Sequence, residues 1–123
     1  MDWNKRRQIS EGILFTDFYE LTMAQLYFQK GIHEKKALFD YFFRDYPVYD
    51  SYKAGYCISA GLQWQVDWMR SVTFGKEEIE LLKSHKSKSG KPLFTKTFLN
   101  WLEENGRFDD VTVRAIPEGR VVH

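Results

Sequence analysis

TDFYELTMAQLYFQKGIHEKKALFDYFF, residues 16–43, places a helix and a strand end to end. Asp17 is positioned to cap a helix over residues 17–30. Glu20, three residues on, is the return half of a capping box, and Gly31 supplies the left-handed residue that stops the helix. At 100° per residue, Tyr19, Leu21, Met23, Ala24, Leu26, Tyr27 and Phe28 cover roughly 220° of its circumference. Thr22, Gln25 and Gln29 form the narrow polar stripe that is left. One neighbour needs only about 100° of apolar surface. This helix is therefore expected to be covered on two sides, by its own domain and by something else. After the Gly31 turn, residues 37–44 (ALFDYFFR) alternate, with Ala37, Phe39, Tyr41 and Phe43 on one face, and predict a strand.

Outward from this stretch the pattern stays mixed. Residues 46–55 hold Pro47, Asp50, Ser51 and Gly55 and read as an irregular connection. Residues 56–60 predict a second, short strand. Leu62, Val66, Met69 and Val72 recur near helical spacing, and Ile79, Leu81 and Leu82 mark a helix over residues 76–83. Thr95 is a plausible N-cap for a helix to Asn105, with Phe98, Leu99 and Leu102 inward and Gly106 ending it. Between these helices, residues 83–91 (KSHKSKSGK) read as a solvated loop, because no aromatic interleaves the lysines to stack on bases. Val111, Val113 and Ala115 predict a strand, Pro117-Glu118-Gly119 a turn, and Val121-Val122 a further β segment. A strand with two apolar residues before the last position is expected to continue in a longer chain. The fold class expected is α+β: an N-terminal helix, a small mixed sheet from residues 37–44, 56–60 and 111–115, and three further helices.

The 123 residues are one domain's worth, and 43% hydrophobic with 17% aromatic residues argues against disorder. Eighteen basic against seventeen acidic residues leave a net charge of +1, so no whole-chain field draws nucleic acid or anionic lipid. A single cysteine, Cys57, rules out an intrachain disulfide and a Cys-based zinc site, and fits a reducing, cytoplasmic compartment. No apolar run is long enough for a membrane span.

The usual enzyme constellations are missing: no GxGxxG, GxxxxGK[ST], HExxH or GxSxG. His33, His85 and His123 lack partners at metal-ligand spacing. Glu77-Glu78, Glu103-Glu104 and Asp109-Asp110 are adjacent pairs that helical geometry points apart. Cys57 has no neighbouring base. No catalytic residue and no metal ligand is expected in this segment. On the residues alone, residues 16–23 (TDFYELTM) are a capped amphipathic helix whose tyrosine packs in a core.

That same stretch resembles the N-terminal segment of nicotinate phosphoribosyltransferases. The family opens with a T-D-x-Y-x-x-T-M helix, a short G-x-H turn and an aromatic strand. Further matches follow in order: residues 56–62 (YCISAGL) to a Y-A-V-F-A-G-L type stretch, and Thr73-Phe74 with residues 77–82 to R-F-[ST]-x-x-[ED]-I-x-x-L. Residues 94–102 then resemble an F-x-x-x-F-L-x-x-L helix, and residues 116–122 (IPEGRVV) the [VI]-P-E-G-x-x-V turn. The likeness is colinear over residues 12–122. Its departures are local: residues 48–53 where many members have a Gly-rich linker, and a basic insertion at residues 84–92.

The resemblance implies that residues 1–123 are the N-terminal domain of a two-domain enzyme whose α/β barrel lies beyond this chain. It implies formation of nicotinate mononucleotide from nicotinate and phosphoribosyl pyrophosphate, with ATP hydrolysis coupled and Mg²⁺ required, in NAD biosynthesis. It further implies a homodimer in which this domain covers the barrel mouth of the other subunit. Tyr19 would stack on the pyridine ring there, and Asp17 would cap the helix and orient that end of the site. The barrel would carry the catalytic residues, so this piece alone is expected to be inactive. A nicotinamide-specific relative is the competitor within the superfamily; Glu20 and Thr22-Met23 stand where those proteins have Lys and T-H. A non-catalytic interaction module that binds a partner protein through the aromatic helix face is the competitor from another class.

Overall fold

The structure, a computed structural model, describes residues 11–123. Its elements run α1 (Phe18–Gln29), β1 (Val48–Tyr49), β2 (Tyr52–Lys53), β3 (Cys57–Ile58), α2 (Leu62–Ser71), α3 (Lys76–Ser84), α4 (Lys96–Asn105) and β4 (Val121–Val122). This is a small α+β domain. None of its helices is long and apolar enough to cross a membrane.

The helices form where the periodicity puts them, and the boundaries of α1, α3 and α4 have local causes. Gly31, with φ +66°, ends α1 in a Schellman arrangement: its N–H bonds to the Phe28 carbonyl at 3.1 Å and the Ile32 N–H to the Tyr27 carbonyl at 3.0 Å. The Glu78 carboxylate accepts from the Gly75 N–H at 3.0 Å and caps α3. Thr95 Oγ1 accepts from the Phe98 N–H at 3.4 Å at the start of α4, and Gly106 closes that helix with a bond to the Leu102 carbonyl at 2.7 Å. The capping box expected at α1 is not formed. Asp17 stands at the N-cap, but its side chain makes no cap hydrogen bond; its backbone carbonyl accepts from the Glu20 N–H at 3.0 Å instead.

The core lies between α3 and α4, with α1 laid over α4. Phe98, Ile79, Leu82 and Leu99 are fully buried. Phe98 stands 5.7 Å from Phe28 of α1 and 6.1 Å from Phe94, ring centre to ring centre. Such aromatic pairs add about 1 kcal/mol each beyond the area they bury. Gln25, one of the narrow polar stripe of α1, has partners that the helical pattern does not announce. It is half-buried and bolts α1 to the approach of α4, its Nε2 donating to the Leu93 carbonyl at 3.0 Å and its Oε1 accepting from the Thr95 N–H at 2.7 Å.

The sheet departs most from expectation. The structure has two separate two-stranded antiparallel sheets, β1–β2 paired Val48↔Lys53 and β3–β4 paired Cys57↔Val122. Residues 37–44 and 111–115 form no strand. A strand is held by its ladder and by a buried face. Among the described residues nothing supplies either one here: Leu38, Phe39 and Tyr41 are 91%, 89% and 103% exposed. Val121-Val122, by contrast, finds its partner in β3. The chain leaves 10,935 Å² accessible, against roughly 7,000 Å² for a compact protein of this mass. The lysine-rich residues 85–92 close on themselves as a tight turn, bridged at Lys86↔Pro92.

Candidate functional site

α1 has two apolar faces with different fates. Leu21, Ala24 and Phe28 pack against the core. Tyr19, Met23, Leu26 and Tyr27, roughly 180° round the helix, are 56%, 39%, 48% and 40% exposed. The sequence expectation of a helix wanting cover on two sides is met on one side among the described residues. Phe18 explains how Tyr19 comes to face outward. Its ring is held 5.2 Å from His85 and 5.8 Å from Phe94, which fixes the rotation of the first turn. The next residue is carried about 100° away from that anchor.

Tyr19 therefore offers a free ring face. The neighbouring Glu20 carboxylate, by hydrogen bond and then by charge, pushes the phenol above its ordinary value, with Asp17 adding to this and Arg44 opposing it. The ring is a neutral phenol at physiological pH. Asp17 is exposed at the helix start. One cleft of about 380 Å³, lined by Thr16, Glu20, Leu21, Trp68 and Trp101 among others, adjoins this turn, and another of about 400 Å³ lies between α2 and residues 108–113. Neither contains Tyr19 or Asp17. A bound small molecule normally has most of its surface enclosed. Among the described residues no cleft wall stands opposite the exposed Tyr19 ring.

Several of the other polar candidates have structural partners, although His33 Nδ1 is buried without a hydrogen-bond partner. His33 is packed between Phe28 and Trp101, both 5.0 Å away, with Nε2 3.6 Å from Glu34. His85 Nδ1 lies 2.9 Å from the Leu81 carbonyl, and His123 Nδ1 3.4 Å from that of Gly55. Of the adjacent carboxylate pairs, Glu78 is spent on the α3 cap and Asp109 on an ion pair with Arg107 at 2.8 Å. Among the described residues no three His, Cys, Asp or Glu side chains converge to hold a metal ion. Sequence reasoning missed Gln25 and Glu118, both of which act through contacts more than fifty residues away. A polar residue flanked by core positions was the only signal for the first.

Comparison with known proteins now decides the family. The family described as nicotinate phosphoribosyltransferase (NAPRTase) N-terminal domain matches residues 14–123. The chain belongs to that family. It is 32% identical over 110 residues to the nicotinate phosphoribosyltransferase of Caenorhabditis elegans, covering 89% of this chain and 18% of that protein. It is 35% identical over 111 residues to nicotinate phosphoribosyltransferase pncB2 of Mycobacterium tuberculosis, covering 90% and 21%. Over a shorter stretch of 70 residues it is 37% identical to the Bacillus subtilis nicotinate phosphoribosyltransferase, covering 57% and 14%. The chain thus spans about a fifth or less of these relatives' length. No solved structure matches. Tyr19 and the exposed face of α1 lie inside the matched residues of this NAPRTase N-terminal domain.

Proposed function

We propose that this chain is the N-terminal domain of an enzyme that makes nicotinate mononucleotide and pyrophosphate from nicotinate and phosphoribosyl pyrophosphate, in the cytoplasm, for NAD biosynthesis. ATP and Mg²⁺ serve the longer enzyme, and a barrel beyond residue 123 holds them with the catalytic residues. Tyr19 stacks on the pyridine ring across the interface of a homodimer, and Asp17 orients that edge of the site. The observation that carries this reading is the half-built site: a neutral ring, exposed on an apolar helix face, with no opposite wall of its own. A wall from a second copy's barrel completes it. Displacement of pyrophosphate at the anomeric carbon builds positive charge on the sugar, so the enzyme's task is positioning and electrostatics. Tyr19 contributes to the first of these.

The test uses the enzyme as its source cell makes it. A barrel adds about 250 residues, so the polypeptide should be about three or more times the 14.7 kDa of this chain. In that enzyme Tyr19→Ala should raise the KM for nicotinate about fivefold, the loss of roughly 1 kcal/mol of stacking. Tyr19→Phe should stay near the parent. Unchanged nicotinate kinetics in Tyr19→Ala would remove the stacking role. A native product of 14.7 kDa would remove the enzyme and leave an interaction module.

A further inference from the structure

Gly61 opens α2 in the left-handed region, φ 92°, and has no side chain with which to cap it. The first N–H groups of a helix need acceptors. Here the acceptor comes from 57 residues further along the chain. Glu118 Oε2 accepts from the Gly61 N–H at 3.2 Å, and Oε1 from the Gln63 N–H at 3.3 Å. The carboxylate also sits at the positive end of the helix dipole.

The turn that presents Glu118 is built for this. Gly119 takes φ +78°, and the Arg120 N–H closes on the Pro117 carbonyl at 3.3 Å, the arrangement of a type II turn with glycine in its third position. The same two segments are sewn together by backbone. The Gly119 N–H donates to the Ser59 carbonyl at 2.7 Å, the Ser59 N–H to the Arg120 carbonyl at 2.8 Å, and β3 pairs with β4 just beyond. No residue of 57–63 or 116–122 is buried. Hydrogen bonds rather than apolar burial hold this corner. It shares no residue with the buried cluster between α3 and α4.

We propose that residues 57–63 and 116–122 form a latch that opens as one unit, independently of the α3–α4 core, with the Glu118 carboxylate as its clasp. Segments held this way open locally without global unfolding. Each half orders the other: α2 lacks a cap without the turn, and the turn lacks a dock without α2. Glu118 sets how often the corner opens.

Amide hydrogen exchange on the full chain tests this, and the decisive amides are those of Ser59 and Gly119. Both donate to backbone carbonyls and neither to the Glu118 carboxylate; Ser59 is remote from residue 118 in sequence, and Gly119, which follows it, is compared after correction for the changed intrinsic rate. Glu118→Ala should speed exchange at Gly61, Gln63, Ser59 and Gly119 together, by about fivefold, the equilibrium shift that losing an N-cap typically brings. Leu99 and Leu102 of α4 should be unchanged. Glu118→Gln, which keeps one carbonyl acceptor, should give a smaller rise at the same four amides. Faster exchange at Gly61 and Gln63 alone would reduce Glu118 to a plain cap and overturn the latch. Acceleration of Leu99 and Leu102 in step with the corner, or loss of protection throughout, would overturn its independence from the core.

Discussion

Replacing Gly106 with alanine should destabilise the domain although its backbone conformation suits any residue. Its φ is −75° and its ψ 72°, so left-handed strain is not at issue. The obstacle is space. A Cβ at this position would lie 2.5 Å from Phe74 Cδ2 and 3.1 Å from Phe74 Cβ, and would press on the Leu102 carbonyl. Neither neighbour can retreat freely. Phe74 is buried, and its N–H donates to the Gly106 carbonyl at 3.0 Å, so moving one strand of chain breaks the bond that ties both. Overpacking of this kind costs about 1–3 kcal/mol, offset by up to about 1 kcal/mol from the smaller freedom of alanine in the unfolded chain. The net expectation is a loss of about 1–2 kcal/mol, read as a lower urea midpoint at constant slope. Gly31 is the control. There the φ of +66° is the constraint and no atom lies within 4 Å, so Gly31→Ala should cost about 1 kcal/mol and Gly31→Asn less, because asparagine tolerates that region. At residue 106 asparagine should be worse than alanine. A Gly106→Ala midpoint within error of the parent, or a rescue by asparagine at 106, would refute the close-approach reasoning.

Gln25→Leu keeps the volume but strands the Leu93 carbonyl and the Thr95 N–H, and should cost about 1–2 kcal/mol by denaturation, the lower part of the range because water reaches Thr95. Gln25→Glu should be worse at neutral than at acid pH, since a carboxylate facing the Leu93 carbonyl has no proton to donate. Lys53 lies 2.6 Å from Asp45, and its hydrogen bond, with that of the Tyr46 N–H, holds the Asp45 carboxyl below its ordinary value. A lowered folded value means the ion pair's contribution is present above the ordinary carboxylate range and drains away as pH falls through the lowered one. An NMR titration should place Asp45 below the ordinary aspartate value, and Asp45→Asn should abolish that acid-range change around β1–β2 without moving the core.

The helices were legible because each carries its own apolar period, and the helices before Gly31 and Gly106 carry a stop signal as well. Phe98, Leu99 and Leu102 on α4, with Thr95 before and Gly106 after, needed no knowledge of the rest of the chain. Tyr19 was legible for a different reason, since a wheel with about twice the apolar arc that one neighbour requires announces a second, missing neighbour. What local pattern could not supply was partnership at a distance. Gln25 looks solvated on its own helix and is instead satisfied by residues 68 and 70 positions away. Glu118 looks like turn punctuation and caps a helix that begins 56 residues earlier than itself in the chain, at Leu62. Asp17 shows the reverse error: the right residue type at the right place, with the cap bond unmade.

Residues 37–44 bring these points together. Their alternation is as clean as that of any strand in the sequence, yet alternation specifies only which side chains share a face, and pairing needs a second backbone with free N–H and C=O groups alongside. β3 and β4 have one another, through the Glu118 turn that brings them together; residues 37–44 have no counterpart among those described. Leu38, Phe39, Tyr41 and Phe42 therefore stand open, as do Tyr19, Met23, Leu26 and Tyr27 on α1. Two separate apolar surfaces left uncovered, one helical and one strand-patterned, and both inside the residues that match the family, call for cover from polypeptide other than residues 11–123 of the same copy. Single exposed apolar residues need no such explanation, but contiguous ones do. The same lack of a neighbour thus accounts for the strand that did not form and for the apolar face of α1 that stands uncovered.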